Sequence, residues 1–570
     1  MKKKILTLPI AVLMAISCAG CGTPGSTNGG QTVKEGTTPL YIAYFNAGFG
    51  DRWLKKAETR FEEMYKNYSF EEGKRGVDVI LDGITSNSDF SLIMDSKRSE
   101  VYFCDAYHTQ DYIFCSDDIT SAVKTSLGES YGVDIEGTPL PGYVGETQSI
   151  FDKMSDQAKQ YFVLNDKGNE KIIATPYIDV WDTGLSYDAG LFETYALYYK
   201  ADNTLGGTKA KGDLGTGPDG VAGNADDGLP RTYDEFFAVC NKMQKECSIV
   251  PFVWAGNWTP YVRQLAYGLT MSNLGYDKTQ ELFSGIGSIP DYLTFTSNKG
   301  TAYTTREESF MQSTNFVDVL NKSESLYKAI EFMYRIMEGE YCVTENVFTA
   351  SYTHELAQAD FIFGDRIGRN NGKNYAFLVD GSWWYTEAEK YQKSFEDNYD
   401  SRQTRDLRFM PLPKATEASF ERTKGENLIT TTYATGIAVK KGLSAMKKLL
   451  AETFIRFYST NESLVEYHTI QSVPRDLKCE MTTEQYNALS PFGRSTYDMH
   501  NKTHGFETLK FQNEQRTETF AIANPTLLNP DNMFLTETAQ FSKLSNPINA
   551  FKDYLAAGLT ARMYFEGLKR

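Results

Sequence analysis

The chain has 570 residues, of which 41% are hydrophobic and 23% are charged, and these proportions are typical of a folded protein and exclude pervasive disorder. With 58 Lys and Arg against 74 Asp and Glu, the formal charge is −16. Because nucleic-acid binding depends on Lys and Arg that neutralise phosphates, this balance argues against a nucleic-acid partner. The length allows three or four domains, or two large lobes with insertions. The aromatic content of 14% is the unusual feature.

The first segment has the three-part layout of a secretory signal. Lysines at positions 2–4 precede an apolar run over residues 5–16, and small residues follow. The run is too short to cross a bilayer. The Ala-Gly pair before Cys21 resembles the bacterial lipobox, in which this thiol is acylated before cleavage, and Cys18 is the competing site. We predict that residues 1–20 are removed as a lipoprotein signal peptide, that Cys21 carries the lipid, and that residues 21–38 form a flexible tether.

Six further cysteines follow Cys21. Cys240 and Cys247 are seven residues apart in a helical pattern, which separates their Cα atoms by about 10 Å, beyond the reach of a disulfide. We therefore predict that both are free thiols. A bridge between Cys104 and Cys115 stays open. None of the six has a partner at Cys-x-x-Cys spacing, so a zinc ribbon or a redox motif has no support.

Strand and helix patterns alternate in the first part of the chain. Apolar strands are predicted over residues 40–45, 77–81 and 101–104, and an amphipathic helix over residues 52–65. This alternation predicts an α/β fold with a largely parallel sheet, in which ligands bind beyond the carboxyl ends of the strands. These ends carry Phe49, Asp51, Asp105 and Tyr107, which are therefore candidate ligand-binding residues.

Further helices are predicted over residues 259–271, 324–339 and 443–458. Another begins at Thr232, which forms a capping box with Glu235. Three stretches lack a clear period: residues 200–230 are rich in Gly and Asp, and residues 285–322 and 480–545 are rich in loop-forming residues. We predict that these stretches are loop insertions into the α/β core.

Several short motifs follow one another at characteristic intervals, on a chain that begins with a lipobox. They are Gly48–Asp51 after the first strand, Ala174–Tyr177, Arg231–Phe236, Pro251–Trp254, Leu378–Trp383, Pro411–Pro413, Ala434–Val439 and Gln471–Arg475. In order and spacing, these motifs resemble the extracellular solute-binding proteins of bacterial ABC importers, in the carbohydrate-binding family that includes maltose-binding protein. The resemblance covers about three-quarters of the mature chain and fails in the insertions.

The resemblance implies a two-lobed, periplasmic-binding-protein-like fold of type II, with hinge-connected α/β lobes and large loop insertions. We place the first lobe at residues 39–178 and 405–472, and the second at residues 179–404 and 473–570. The implied function is that of a monomeric, lipid-anchored receptor without a cofactor or enzyme activity. It would capture a carbohydrate, expected to be an oligosaccharide, at the extracellular face of the bacterial cell membrane and deliver it to an ABC transporter permease.

A sugar presents apolar C–H faces and a rim of hydroxyl groups, so its site needs aromatic plates and polar side chains. Large rings beside Gly and Asn are a poor composition for a core and a good one for a concave site. This pattern selects Trp254, Asn257, Trp258, Trp383 and Trp384. Because Trp383 and Trp384 are adjacent and point into different environments, we expect at least one of them to face the ligand. Trp181, beside the predicted hinge, is a further candidate.

In the family, the positions that match Trp254, Trp258, Trp383, Asp105 and the loop at Phe49–Asp51 border the ligand. We expect Asp51, Asp105 and Asp380 to accept hydrogen bonds from sugar hydroxyls. For Asp380 an alternative is open, since an Asp-Gly pair is also typical of a turn.

One Gly-rich loop carries several oxygen ligands for a hard cation such as Ca²⁺, namely Asp219, Asn224, Asp226 and Asp227. The spacing differs from that of an EF-hand, because Val221 occupies the position of the second ligand. A solvated series of Asp-Gly turns is therefore the alternative to a structural calcium site. Residues 215–220 match a dinucleotide-binding pattern but lack the flanking strand and helix that the pattern requires.

Two other functions remain open on the sequence. A lipid-anchored glycoside hydrolase would need two carboxyl groups on either side of one glycosidic bond, about 5–9.5 Å apart. The chain has enough Asp and Glu that their number alone does not exclude such a pair. A glycan-capturing lipoprotein without an importer would have the same binding site and would differ only in its partners.

Overall fold

The computed structural model describes residues 32–46, 50–84, 94, 98–106, 115–166, 169–178, 181, 184–257, 260–284, 286–295, 303–311, 314–315, 319, 322–337, 347, 349, 351–366, 372–399, 405–431, 434–502 and 506–510. The predicted signal peptide and the lipidation site Cys21 lie outside these residues, as do Phe49, Tyr107 and Trp258. Asp105 is described by its backbone alone.

The described strands, in chain order, are β1 (Thr38–Phe45), β2 (Val77–Ile84), β3 (Val101–Ala106), β4 (Val163–Asp166), β5 (Asn169–Ile172), β6 (Thr175–Pro176), β7 (Leu185–Asp188), β8 (Tyr198–Tyr199), β9 (Leu205–Gly207), β10 (Val250–Trp254), β11 (Ile286–Phe295), β12 (Tyr303–Met311), β13 (Tyr375–Val379), β14 (Leu407–Met410), β15 (Asn427–Thr431), β16 (Ala434–Val439) and β17 (Phe506–Lys510).

The described α-helices are α1 (Arg52–Tyr65), α2 (Thr120–Lys124), α3 (Ile150–Lys153), α4 (Asp156–Phe162), α5 (Ala189–Thr194), α6 (Tyr233–Glu246), α7 (Pro260–Leu274), α8 (Tyr276–Ser284), α9 (Glu324–Met337), α10 (His354–Phe363), α11 (Trp384–Glu387), α12 (Glu389–Tyr399), α13 (Glu417–Thr423), α14 (Ala445–Tyr458), α15 (Asn461–Gln471), α16 (Thr483–Ala488) and α17 (Pro491–Lys502).

The first lobe is built on a five-stranded sheet with the order β2–β1–β3–β16–β6. β1 is parallel to β2 and β3, whereas β16 is antiparallel to β3 and β6. The predicted helix over residues 52–65 is confirmed as α1. Its buried residues, Trp53, Leu54, Ala57, Phe61 and Tyr65, form one stripe at helical spacing. This stripe holds the helix in the core and places its first turn next to the carboxyl end of β1.

Aromatic rings fill the core of the first lobe. The Trp53 ring centroid is 5.3 Å from that of Phe103 and 5.2 Å from that of Tyr177. Phe454 and Tyr458 of α14 pack ring on ring, with centroids 5.9 Å apart. Such pairs contribute about 0.5–1.5 kcal/mol beyond the burial of their area. Core packing therefore accounts for much of the high aromatic content.

The second lobe is built on a four-stranded sheet with the order β10–β13–β7–β14. β10 and β13 are parallel, and β7 is antiparallel to β13 and β14. The predicted capping box is confirmed, since Thr232 and Glu235 cap α6 reciprocally. From this helix Phe236 stacks on Phe377 of β13, with ring centroids 4.9 Å apart.

Within the described part of the chain, three crossings connect the two sheets. The first runs from β6 to β7 past Trp181, the second from β14 back to β16, and the third from α15 through Arg475 to α17. At the end of the third crossing, the Ser495 hydroxyl of α17 accepts a 2.9 Å hydrogen bond from the Phe409 N–H of β14. Because β14 belongs to the second sheet, the chain returns to the first lobe between residues 410 and 434, later than the boundary at residue 405 that the sequence suggested.

The crossings are tied to one another beside the first lobe. The buried guanidinium of Arg475 donates to the carbonyls of Tyr177 and Pro176, at 2.8 and 2.9 Å. Thr435 accepts a hydrogen bond from the Ile178 N–H at 3.1 Å and donates to the Ile178 carbonyl at 2.6 Å. The three connections therefore form one bonded unit between the lobes.

Two of the three predicted loop insertions contain regular structure. Residues 285–322 include the antiparallel hairpin of β11 and β12, and residues 480–510 include α16, α17 and β17. β12 has no apolar alternation, and most of its residues are exposed. The buried face of α17 carries polar residues such as Ser495, Thr496 and Asp498, which conceal its helical period. Residues 200–230 consist mainly of turns, with the short strand β9 and a 3₁₀ helix at Lys209–Lys211.

The other predicted helices are confirmed within a few residues, as α7, α9 and α14. Cys240 and Cys247 are free thiols, as predicted. Among the helices that the structure describes, none combines the length and the apolar character that a membrane span requires.

Candidate functional site

The carboxyl ends of the parallel strands carry the candidate residues in both lobes. In the first lobe Asp51 follows β1, and Asp105 lies within β3, where it pairs with Thr435. In the second lobe Asn257 follows β10, and the segment from Asp380 to Trp383 follows β13. Strand direction thus gathers these segments at the edges of the two sheets where ligands bind in α/β folds.

Asp51 is held in place at the start of α1. Its carboxylate accepts a 2.9 Å hydrogen bond from the Tyr44 hydroxyl and forms a 2.9 Å ion pair with Lys55. Burial raises the pKa of Tyr44, and its bond to Asp51 raises it further, so the phenol stays protonated and donates. Asp51 itself is partly exposed and has acceptor capacity left for a ligand hydroxyl.

Among the candidate rings that the structure describes, Trp383 is the one that is partly exposed. It lies beside Tyr261 of α7, with ring centroids 5.7 Å apart. The indole folds back over Gly381, where a Cβ atom would lie 2.1 Å from ring carbons of Trp383. Glycine at position 381 therefore permits this ring position, which any larger residue would block.

Three other predicted aromatic residues are buried. Trp181 and Trp384 are 0% exposed and Trp254 is 1% exposed, so they belong to the core, contrary to the prediction that they line the site. Trp181 packs on Phe409 of β14, and Trp254 is the last residue of a strand that is buried along its whole length. The Trp384 indole N–H donates to Ser186 of β7 at 2.7 Å. A turn-rich sequence around a tryptophan does not show which elements cover it.

Asp380 is also buried, at 3% exposure, and serves the turn and not the ligand surface. It accepts hydrogen bonds from the Gly381 N–H at 2.8 Å and from the Gln358 side chain at 3.1 Å. The same Gln358 amide lies 3.3 Å from Glu387. Burial, followed by the charge of Glu387, raises the pKa of Asp380 well above its usual range. The turn alternative for Asp380 is the one that the structure supports.

Asn257 lies partly exposed on the loop after β10. Its backbone N–H donates to the carbonyl of Tyr352 at 3.1 Å, which fixes the loop. Its side-chain oxygen is buried and has no hydrogen-bond partner among the described residues. Because this oxygen is buried, a ligand hydroxyl does not reach it in the present arrangement of the loop.

A cavity of about 460 Å³ lies between the lobes. Its lining includes residues one or two positions after Asp51 and Trp383 in the chain, but Asp51, Asn257 and Trp383 are not among the described residues that line it. The first lobe contributes Arg52, Lys56 and Thr469, and the second contributes Tyr385, Glu389 and Gln392. An ion pair of 2.9 Å between Arg52 and Glu389 joins the two walls at the rim. The sequence did not indicate these residues, because polar side chains on exposed helix faces are common. The one indication in the sequence was their place beside predicted site residues, since Arg52 directly follows Asp51 and Tyr385 directly follows Trp384.

Solved structures match the chain over nearly its whole length. A chitin oligosaccharide binding protein is 15% identical, with a TM-score of 0.50, and the match covers 91% of this chain and 98% of that one. A structure from work on xylan utilization by Caldanaerobius polysaccharolyticus is 10% identical, with a TM-score of 0.50 and coverage of 89% and 100%. Maltose-bound MalE3 of T. maritima is 14% identical, with a TM-score of 0.48 and coverage of 90% and 99%. No protein-family model and no curated protein matches the sequence.

The chain has the two-lobed fold of bacterial solute-binding proteins. The fold expected from the sequence motifs is therefore confirmed, with two α/β lobes joined by crossing segments. At identities of 10–15%, the likeness is one of fold, and the site must be judged on the residues of this chain.

In this solute-binding-protein fold, the cavity between the lobes is lined mainly by neutral hydrogen-bonding groups. Tyr385, Thr386, Gln392, Thr469, Ser472 and Ser490 provide hydroxyl and amide groups, and Ile470 adds an apolar wall. Glu389 is the one carboxylate among the described residues that line it. Such a lining can exchange many hydrogen bonds with a polyhydroxylated ligand, and its volume is within the range of small-ligand sites.

The Asp-rich loop between β9 and α6 is distant in sequence from these segments and is closed by its own hydrogen bonds. The Asp219 carboxylate accepts bonds from the Val221 N–H at 2.7 Å and the Asn224 amide at 2.5 Å, and Asp226 accepts from the Asp219 N–H at 3.0 Å. Asp227 accepts from the Gly223 N–H at 2.8 Å. In the described part of the chain, no group of three or more His, Cys, Asp or Glu is arranged to hold a metal ion. A calcium site would thus require this loop to rearrange around the ion.

Two oxygens of this loop nevertheless lack partners. Oδ1 of Asp226 and Oδ1 of Asp227 are buried and accept no hydrogen bond from any described residue. Burial, and next the charge of Asp219, raises the pKa of Asp226 well above its usual range, and burial also raises the pKa of Asp227. Burial of these carboxylates therefore lowers the stability of the folded state. Calcium binding at this loop stays a prediction.

Proposed function

We propose that the protein is a solute receptor that captures a carbohydrate, expected to be an oligosaccharide, between its two lobes. The observation that carries this proposal is the cavity of about 460 Å³, lined with hydroxyl and amide groups, between two lobes that three crossings connect. Partly exposed Trp383 offers an aromatic face, while partly exposed Asp51 offers an acceptor at the edge of the first sheet. A dissociation constant of 1 μM corresponds to about 8 kcal/mol, which a few such contacts can supply.

The named matches agree with this ligand class. One is a chitin oligosaccharide binding protein, and another was solved with maltose bound. The fold by itself does not identify a ligand, so the proposal rests on the polar lining of the cavity and on Trp383.

The proposed cellular role follows from the N-terminal sequence. With residues 1–20 removed and Cys21 acylated, the receptor would be anchored at the extracellular face of the bacterial membrane and would deliver its ligand to an ABC importer permease. Incorporation of labelled fatty acid into the wild-type protein, and its absence in Cys21→Ser, is the expected result. If labelling persists in Cys21→Ser and is lost in Cys18→Ser, the lipidated residue is Cys18 and the prediction for Cys21 is wrong.

Ligand binding is tested by a melting screen of the mature chain from residue 22 with chitotriose, maltotriose, mannobiose and xylotriose. A ligand present at 100 times its dissociation constant stabilises the folded state by about 2.7 kcal/mol, so a binding sugar raises the melting midpoint measurably. The proposal fails if none of these sugars shifts the midpoint while amino acids or peptides do. Hydrolysis of any sugar in the panel would favour the glycoside hydrolase alternative.

A further inference from the structure

The loop that carries Trp383 is bonded to the first crossing between the lobes. Ser382 donates its backbone N–H to the carbonyl of Trp181 at 2.8 Å, and its hydroxyl accepts from the Trp181 N–H at 3.1 Å. Trp181 lies between β6 of the first lobe and β7 of the second. Because both residues are almost fully buried, water does not compete for these bonds.

The same loop is bonded to the start of the third crossing. The Thr386 hydroxyl donates to the carbonyl of Gln471 at 2.7 Å. Gln471 is the last residue of α15 in the first lobe, whereas Thr386 lies in α11 of the second lobe. This bond therefore spans the two lobes, and Trp383 lies in sequence between two attachments to the crossings.

The remainder of the loop is fixed to the second lobe. The Trp384 indole is bonded to Ser186, and the Tyr385 ring stacks on Phe492 of α17, with a centroid distance of 4.6 Å and an interplanar angle of 3°. A segment packed in this way moves with its lobe as one body. A displacement of the cavity wall formed by Tyr385 and Thr386 must then act on the bonds of Ser382 and Thr386 to the crossings.

We propose that Ser382 and Thr386 are positioning residues that couple ligand binding at the Trp383–Thr386 loop to closure of the two lobes. This inference rests on the proposed function and adds the regulation of that site. The bond from Thr386 to Gln471 favours the arrangement in which the second lobe approaches α15. A ligand that contacts the loop stabilises this arrangement, and loss of the bond shifts the ligand-free protein towards more open forms.

The test compares Thr386→Val, which removes the hydroxyl and keeps the shape, with Thr386→Ser, which keeps the hydroxyl. Small-angle X-ray scattering of the mature chain gives the radius of gyration without ligand and with chitotriose, maltotriose, mannobiose or xylotriose, and calorimetry gives the affinity. We expect the Ser variant to have the ligand-free radius of gyration of the wild type, because it keeps the hydroxyl that bonds to Gln471. The Val variant is expected to have a larger ligand-free radius and an affinity about 3- to 10-fold weaker, the equivalent of one hydrogen bond.

Two outcomes would overturn the coupling. One is a Val variant with the ligand-free scattering and affinity of the wild type, and the other is an equal loss in the Val and Ser variants, which would indicate packing alone. If no sugar binds the wild type, the proposed function fails, whereas the ligand-free scattering of the two variants still decides whether the hydroxyl holds the lobes together. Should Thr386→Val not fold, Ser382→Ala provides the same comparison at the first crossing, and unchanged ligand-free scattering there would count against the coupling.

Discussion

Two adjacent tryptophans have different environments in this protein. Trp383 is partly exposed beside Tyr261, whereas Trp384 is fully buried and bonded through its indole N–H to Ser186. Because the two residues are adjacent, their local sequence does not explain the difference. It arises from the short helix α11, which begins at Trp384 and turns that ring inward. The pair offers a matched test of binding against stability.

We expect Trp383→Ala to weaken sugar binding by about fivefold, since an aromatic contact is worth about 1 kcal/mol, and to lower the melting midpoint less than Trp384→Ala does, because the ring of Trp383 is only partly buried. Trp384→Ala is expected to lower the free energy of unfolding by about 3–5 kcal/mol, because it leaves a cavity and an unpaired Ser186. Calorimetric titration and thermal melts measure both effects. Equal affinities for the wild type and Trp383→Ala would contradict the assignment of this ring to the site.

Glu387 shows how a single residue makes stability depend on pH. Burial raises its pKa to about 7, and Gln358 and Lys390 oppose this effect while Glu355 adds to it. Because the folded state then binds more protons than the unfolded state between about pH 4.5 and pH 7, stability falls as the pH rises through this window.

Glu387→Gln keeps the shape of the side chain and removes the charge. We expect it to raise the free energy of unfolding at pH 8 by up to about 3 kcal/mol and to have little effect at pH 4.5. Glu396→Gln, at an exposed position of α12, is the control and should retain the pH dependence of the wild type. Denaturant melts at the two pH values measure both variants, and an equal gain at pH 4.5 and pH 8 would contradict the assignment.

At the scale of elements, the calcium prediction concerns the loop between β9 and α6. We expect 5 mM CaCl₂, compared with a chelator, to raise the melting midpoint of the wild type, because a cation would satisfy the buried oxygens of Asp226 and Asp227. Asp226→Asn should lose this shift and melt higher than the wild type in chelator, since it removes a buried charge. If calcium does not shift the melting midpoint of the wild type, the prediction of a calcium site is wrong and the loop is a turn closed by its own hydrogen bonds.

The elements themselves were predictable to different degrees. α1 and α6 were predicted from an apolar stripe and a capping box, both of which are local signals. The hairpin of β11 and β12 and the helix α17 were not predicted. Their residues form regular structure because they pack on other parts of the second lobe, and neither the exposed residues of β12 nor the polar buried face of α17 carries a clear hydrophobic period.

At the scale of the whole molecule, the charges across the cavity rim are expected to influence the relative position of the lobes. Arg52 of the first lobe and Glu389 of the second form an ion pair in which both side chains are more than half exposed, so the pair contributes about 0–1 kcal/mol to stability. Its effect on opening and closing is larger when the sign of one partner is reversed, because two like charges then oppose each other across the rim.

We therefore expect Arg52→Glu to weaken sugar binding by about 3- to 10-fold and to increase the ligand-free radius of gyration, with a smaller effect at high salt. The double variant Arg52→Glu with Glu389→Arg should recover most of the loss by restoring the opposite charges. Calorimetry and scattering at 50 mM and 500 mM NaCl measure these effects. If the double variant binds as weakly as the single one, the contribution of the ion pair to closure is contradicted.

By itself, the sequence determined the α/β class, the helices with strong apolar periods and the order of motifs that indicates two lobes. These features depend on patterns among residues that are close in sequence, and such patterns can be recognised without knowledge of the fold. Only the tertiary structure decided that Trp181, Trp254 and Trp384 are core residues, that Asp380 serves a turn, and that Arg52 and Glu389 meet across the cavity. Exposure and contact between distant segments depend on what packs over a residue, and that information is distributed over the whole chain.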